Sequence, residues 1–142
     1  MEVFTYTPQV SFKTTPFMAI YGNLEEEFEK YKALEGCKFL GEGYTERGYK
    51  LFNDYGWVVA LPFKKGFPLK VKVFKLPSAD SFGKLDVVVG YPVEYWRITE
   101  KVTLIDGKKL KVWLYVAKKP EGEEIGKILY DAKVGIHYTE AV

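Results

Sequence analysis

From Lys38 to Ala117 the chain is cut by glycines and turn signals into stretches that, apart from the segment after Ser78, are too short and too branched for helices. Lys38–Glu46, Tyr49–Asn53, Trp57–Leu61 and Leu69–Leu76 are rich in β-branched and aromatic residues, and Gly48, Gly56 and the "KKGFP" turn at Lys64–Pro68 separate them. So many short strands in one small domain predict a barrel or a strongly curled sheet. Two more, Val93–Ile105 and Leu110–Ala117, read as a hairpin around Asp106-Gly107, a dipeptide that favours the positive backbone angles of a tight turn. In the second arm Leu110, Val112, Leu114 and Val116 fall on one face.

Helical signals flank these strands. Phe17–Tyr21 reads as a buried strand, and from Leu24 the apolar residues Leu24, Phe28, Tyr31 and Leu34 recur at the three- and four-residue spacing of one helix face. Asn23 is placed to cap that helix, Glu26 to complete a capping box and Gly36 to end it. Ser78 is placed to cap a second helix through Phe82 and Leu85, which Gly83 and the run Val87-Val88-Val89 limit to one or two turns. A chain of 142 residues fits one α+β domain. Residues 1–16 are expected to add a short strand or hairpin arm, and residues 118–142 to form a C-terminal extension that docks through Ile128, Leu129 and Tyr130.

Composition removes several classes of function. No apolar run is long enough to cross a bilayer, no secretory leader is seen and one cysteine, Cys37, cannot form an internal disulfide, so the expected location is cytoplasmic and no membrane partner is expected. One histidine, His137, and one cysteine cannot assemble a zinc site or a Cys/His nucleophile pair; no metal and no cofactor is expected. Net charge is +2 with scattered lysines, which argues against nucleic acid, and Lys70, Lys72, Lys109 and Lys111 alternate with apolar residues as a solvated face would. The Lys/Glu-rich composition with few Asn, Gln, Cys and Met is that of a thermophile. Oligomeric state is not set by the sequence.

The strand-to-helix turn Tyr21-Gly22-Asn23-Leu24 is the first candidate site. A helix start offers free N–H groups, and glycine lets a ligand approach the main chain, so a small carboxylate could lodge there. Local pattern alone favours a plain junction, with Gly22 turning the chain and Asn23 capping the helix.

Taken with "FLGEGYTERGYKLF" at 39–52, "LKVKVFKL" at 69–76 and "LDVVVGYPVEYWRI" at 85–98, in that order, the turn resembles the γ-glutamylcyclotransferase-like family over residues 17–117. The resemblance implies a small mixed β-barrel with flanking short helices and a cavity at one end. It also implies that Tyr21, Gly22, Asn23 and Leu24 grip the γ-glutamyl part of a substrate, with Tyr95 of the Tyr-x-Arg motif on the cavity side. In the family a glutamate of Leu-Asp-x-x-Glu-Gly is the general base that lets an α-amino group attack the γ-carbonyl and release 5-oxoproline. An ammonium group must lose its proton before it can attack, and this makes a nearby carboxylate the minimum equipment.

Here the chain departs from that pattern, because Val89 stands where the glutamate is expected, and valine cannot accept a proton. Glu94 and Glu46 are the substitutes to weigh, followed by Glu42 and Asp86; strand alternation puts Glu94 with Trp96, on the face opposite Tyr95 and Arg97. Asp86 reads as a structural residue. Glu25, Glu26 and Glu27 suit the helix dipole but oppose an incoming anion. Two expectations follow: a cyclotransferase-like protein with a small-molecule ligand of γ-glutamyl type and weak or absent turnover, or a binding or structural protein that keeps the fold.

Overall fold

The computed structural model describes the backbone of residues 8–54, 56–91, 93, 95–118, 123–124, 127–131 and 135–139, and the side chains of 10–53, 56–91, 93 and 95–118. In chain order the elements are α1 (Pro8–Thr14), β1 (Phe17–Ile20), α2 (Leu24–Lys30), β2 (Lys38–Asp54), β3 (Trp57–Pro62), β4 (Phe67–Lys75), α3 (Ala79–Val89), β5 (Tyr95–Leu104) and β6 (Lys109–Ala117). The short strands β7 (Glu123–Glu124), β8 (Lys127–Asp131) and β9 (Gly135–Thr139) follow.

Strands run in the order β3-β2-β4-β1-β6-β5, and an additional β5–β2 pairing closes five of them, β2, β4, β1, β6 and β5, into a barrel. The β1–β6 pair is parallel and the other pairs around the ring are antiparallel, so the barrel is mixed as expected. Closure depends on β2, which runs unbroken for 17 residues where two strands separated at Gly48 were predicted. Gly48 bends the strand instead: register shifts at Phe39/Gly41 and Tyr44/Gly48 let β2 leave one neighbour for another. Gly43 pairs with both Val71 of β4 and Leu104 of β5. A Cβ there would lie 2.5 Å from the carbonyl oxygen of Thr103, so only glycine lets the two strands come together at that corner.

The β5–β6 hairpin turns at Asp106-Gly107 as predicted, with Gly107 at φ 94 and its N–H donating to Leu104 O. Strand β6 is more buried than a one-face pattern allows, since every residue from Val112 to Ala117 is buried. Leu114 faces the barrel interior, whereas Trp113 and Tyr115 are covered by helices.

One of those helices is α1, where a strand or hairpin arm was expected. Pro8 suits a first helical turn, and Ser11 and Thr15, four residues apart, both face inward. Trp113 Nε1 donates to Ser11 O at 2.9 Å and Thr15 Oγ1 to Lys111 O at 2.7 Å, so tertiary contacts override the weak alternation of the segment. Residues 1–7 lie outside the described residues.

Helix α2 is shorter than its apolar spacing suggests. It ends at Lys30; Lys32 takes the left-handed conformation at φ 57, and the Ala33 N–H reaches back to Phe28 O at 2.8 Å, a Schellman-type stop placed before Gly36. Tyr31 is exposed and Ala33 takes the inner position. Helix α3 is longer than the predicted one or two turns, with 11 residues closed by Gly90 at φ 78. Its branched run is tolerated because Phe82, Leu85 and Val89 bury one face while Val87 points to solvent. Ser78 stands at its start without donating or accepting a side-chain cap bond. In the extension, β7 pairs with β2 and β9 lies beside β4; the side chains of Ile128, Leu129 and Tyr130 lie outside the described residues.

Candidate functional site

The Tyr21–Leu24 turn is built against the free edge of β3. Strand β3 pairs with β2 on one side, which leaves alternate N–H groups facing away. Asn23 meets them: its Oδ1 accepts from Val58 N–H at 3.1 Å, and its Nδ2 donates to Gly56 O at 2.7 Å. Tyr21 continues the line, its hydroxyl accepting from Ala60 N–H at 2.9 Å and donating to Tyr115 O at 2.8 Å. Asn23 therefore does not cap α2, and no capping box forms with Glu26, because its amide is committed to β3.

Gly22 is held for two reasons. Its φ is +62, and a Cβ would lie 3.0 Å from Val58 Cβ and 3.1 Å from Val58 O. Leu24 begins α2 and is buried in the core. Among the described residues the N–H groups of Gly22 and Asn23 have no acceptor; Leu24 N–H turns back to Tyr21 O at 3.3 Å. A left-handed residue followed by one at φ −98, ψ 13 is the backbone arrangement that turns successive N–H groups toward one point, the form of an anion nest.

Tyr95 is buried at the start of β5, its ring 6.0 Å from that of Trp57, which neighbours Val58. Burial pushes the Tyr21 phenol well above its ordinary range, with a further small push from Tyr95, so the two tyrosines lie within electrostatic reach. The structure thus brings Tyr21, Gly22, Asn23 and Tyr95 to one end of the barrel around the beginning of β3. Tyr95 and Arg97 are buried, Arg97 on the face of β5 that α1 and α3 cover, and Trp96 on the opposite face is exposed; Glu94 lies outside the described residues.

Val89 ends α3 and is 2% exposed, packed in the hydrophobic core. Two buried carboxylates stand elsewhere. Asp86, on α3, accepts from Tyr115 Oη at 2.5 Å through Oδ1 and from Arg97 Nη2 at 3.1 Å through Oδ2. Arg97 Nε also sits 3.0 Å from Oδ1, off the line of its N–H, so that contact is ionic and not a directed hydrogen bond. The guanidinium is enclosed by the rings of Tyr91, Phe82 and Trp113 at 4.4, 4.9 and 5.3 Å, and Nη1 donates to Ser11 Oγ. Burial holds the Asp86 carboxyl above its ordinary value despite the Tyr115 hydroxyl and the Arg97 charge. Asp86 is structural, as the sequence suggests.

Glu100 was not among the residues singled out from sequence. It lies on β5 in register with Ile98, Val102 and Leu104, the inward set, and an acid at an inward apolar position is the signal that marks it. Its Oε1 takes Arg47 Nε at 2.9 Å and the Tyr49 hydroxyl; its Oε2 takes the N–H groups of Lys101 at 2.9 Å and Arg47 at 3.4 Å. This happens where β2 bulges away from β5, so the carboxylate spans a gap that backbone pairing leaves open. Burial and the bond to Glu100 push the Tyr49 phenol well up.

Both buried carboxylates are thus filled with donors. Glu46 is exposed, and Glu42 lies 3.5 Å from Lys70 at the surface. Glu25 is drawn to Lys72 at 2.8 Å. Among the described residues no cluster of three His, Cys, Asp or Glu side chains is placed to hold a metal, and no helix is long and apolar enough to cross a membrane.

Comparison with known proteins agrees with the architecture. PH0828 of Pyrococcus horikoshii, whose name places it among the γ-glutamylcyclotransferases, is 30% identical over 112 residues, spanning 76% of this chain and 84% of that one. Its crystal structure superposes with a TM-score of 0.57 at 28% identity over 78% of this chain and 86% of that one. An AIG2-like protein of Mus musculus shares the fold at a TM-score of 0.63 and 17% identity, over 89% of this chain and 87% of that one. The family pattern described as γ-glutamyl cyclotransferase, AIG2-like, matches residues 18–132, past Ala117 and into the extension that the sequence motifs had left outside. The chain belongs to the AIG2-like γ-glutamylcyclotransferase family.

Proposed function

We propose that this chain keeps a small-molecule site for a γ-glutamyl compound at the Tyr21–Leu24 turn and forms 5-oxoproline weakly or not at all. The reading rests on Val89, a core residue that, by the resemblance of Leu85–Gly90 to the family's Leu-Asp-x-x-Glu-Gly, stands at the position of the proton-accepting glutamate. Cyclisation requires the substrate ammonium to give up a proton beside the γ-carbonyl. Asp86 and Glu100 are poor replacements, because each would have to surrender bonds to an arginine and a tyrosine before taking that proton.

Support for a ligand comes from the backbone. The open N–H groups of Gly22 and Asn23 suit a carboxylate or a carbonyl oxygen, and the Glu25–Lys72 pair relieves the repulsion that the acidic first turn of α2 would exert. No cofactor and no nucleic acid enters this reading, and a cytoplasmic setting suits the single free cysteine. A second reading, a non-catalytic binding or structural protein, draws on Asn23 and Tyr21, whose polar groups are spent on the β3 edge.

The test is to incubate the protein with a panel of γ-glutamyl amino acids, follow 5-oxoproline and record melting temperatures. A raised melting temperature with little or no product is the expected result. Fast product formation by the unaltered chain would overturn the catalytic half of the proposal. No thermal shift with any member of the panel would overturn the binding half.

A further inference from the structure

Where β2 parts from β5, an open groove of about 400 Å³ is lined by Glu46, Arg47, Thr99, Glu100, Lys101 and Lys111. None of these residues belongs to the Tyr21–Leu24 turn. Lys101 and Lys111 face each other directly across the β5–β6 ladder, and both are exposed. Like charges in register repel, and among the described residues neither ammonium group has a carboxylate partner. Arg47 adds a third cation from the other side of the gap. Its Nε is fixed on Glu100 and its Nη2 on Thr99 O at 2.6 Å, which holds the guanidinium in place and, among the described residues, leaves Nη1 open.

The negative charge of Glu100 is already used, since all four of its contacts are donors from Arg47, Tyr49 and Lys101. The groove is therefore lined by Lys101 and Lys111, which have no carboxylate partner among the described residues, and by Arg47, whose guanidinium is held in place, with Thr99 and Glu46 also in the lining. We infer that this groove is a second binding site, distinct from the loop, for a small molecule bearing an oxyanion group, a phosphate or a carboxylate. The paired lysines supply charge, and the fixed arginine supplies direction.

The experiment is a titration of the full chain, isotopically labelled, followed through its backbone amide signals at constant ionic strength. Inorganic phosphate, acetate and chloride are the probes. Expected are saturable shifts at Arg47, Thr99, Lys101 and Lys111 with a Kd of about 1 mM or tighter for phosphate or acetate, and none with chloride. Which of the two binds more tightly separates a phosphate ligand from a carboxylate ligand. The double variant Lys101→Gln, Lys111→Gln should weaken the interaction about tenfold, while Lys70→Gln on β4 leaves it unchanged. Shifts that never saturate, equal response to chloride, movement only at residues 21–24, or undiminished affinity in the double variant would each overturn the inference; the wild-type map decides even if the variant is unstable.

Discussion

Asn23 holds both sides of Val58's neighbourhood at once, accepting from the Val58 N–H and donating to the carbonyl of Gly56. One amide side chain thereby does what an added strand would do at the exposed edge of β3, and the Tyr21 hydroxyl extends the seal to Ala60. The motif's polar groups are thus partly architectural, while among the described residues the N–H groups of Gly22 and Asn23 stay open.

This geometry separates two roles for Asn23 by mutation. A helix cap tolerates Ser or Asp in place of Asn with little loss. A two-sided bridge does not, because Ser is too short and Asp cannot donate to Gly56. Asn23→Ser and Asn23→Asp should each cost about 1–2 kcal/mol in urea denaturation, close to Asn23→Ala.

Gly22→Ala should be harsher. The new methyl would press on Val58 Cβ and Val58 O, and φ +62 is unfavourable for alanine, so a loss of about 1–3 kcal/mol is expected. Any thermal shift given by γ-glutamyl compounds should vanish in the same variant, which a melting assay with and without ligand would read.

Removing Glu100 should cost more than its place at the lip of an open groove suggests. Glu100→Ala leaves the Tyr49 hydroxyl and the N–H groups of Arg47 and Lys101 without their acceptor at the β2–β5 gap. A loss of about 3 kcal/mol or more is expected from equilibrium unfolding, with Tyr49→Phe costing about 1 kcal/mol. If Glu100 were also the displaced base, its loss would in addition abolish any 5-oxoproline formation by the protein that stays folded.

Much of this was legible in the sequence because strands declare themselves by turn chemistry and alternation. The Asp106-Gly107 hairpin and the ordered motifs led to the mixed barrel and its family. What escaped depended on partners far along the chain. Residues 8–14 form a helix that sets Ser11 against Trp113 and Arg97, and Thr15, just past its end, against Lys111. Asn23 looked like a cap because Val58, 35 residues away, carries no local trace in the sequence. Glu100 was overlooked although its inward register was readable, because an acid on a strand is ordinarily a solvent-facing residue.

Asp86 makes a pH prediction with a definite sign. Its carboxyl lies above the ordinary 3.8 because burial outweighs Tyr115 and Arg97, so the folded chain holds that proton more tightly than the unfolded one. The contribution is fully present below the unfolded value and is lost as pH rises through the folded value. Relative to Asp86→Asn, the wild type should therefore lose stability advantage as pH is raised from about 3 toward 7, measured by urea midpoints at each pH. An advantage that grows with pH would mean that attraction to Arg97 outweighs burial.

Val89→Glu asks whether the scaffold lacks only its base. Val89 is 2% exposed, and a carboxylate forced into a closed apolar core would cost several kcal/mol or stay protonated. A loss of several kcal/mol is therefore expected, together with 5-oxoproline formation by the folded fraction that rises with pH as the glutamate ionises, and Val89→Gln is expected to be destabilised without product. A Val89→Glu protein that is folded, binds γ-glutamyl compounds and still makes no 5-oxoproline would show that more than a proton acceptor has been lost.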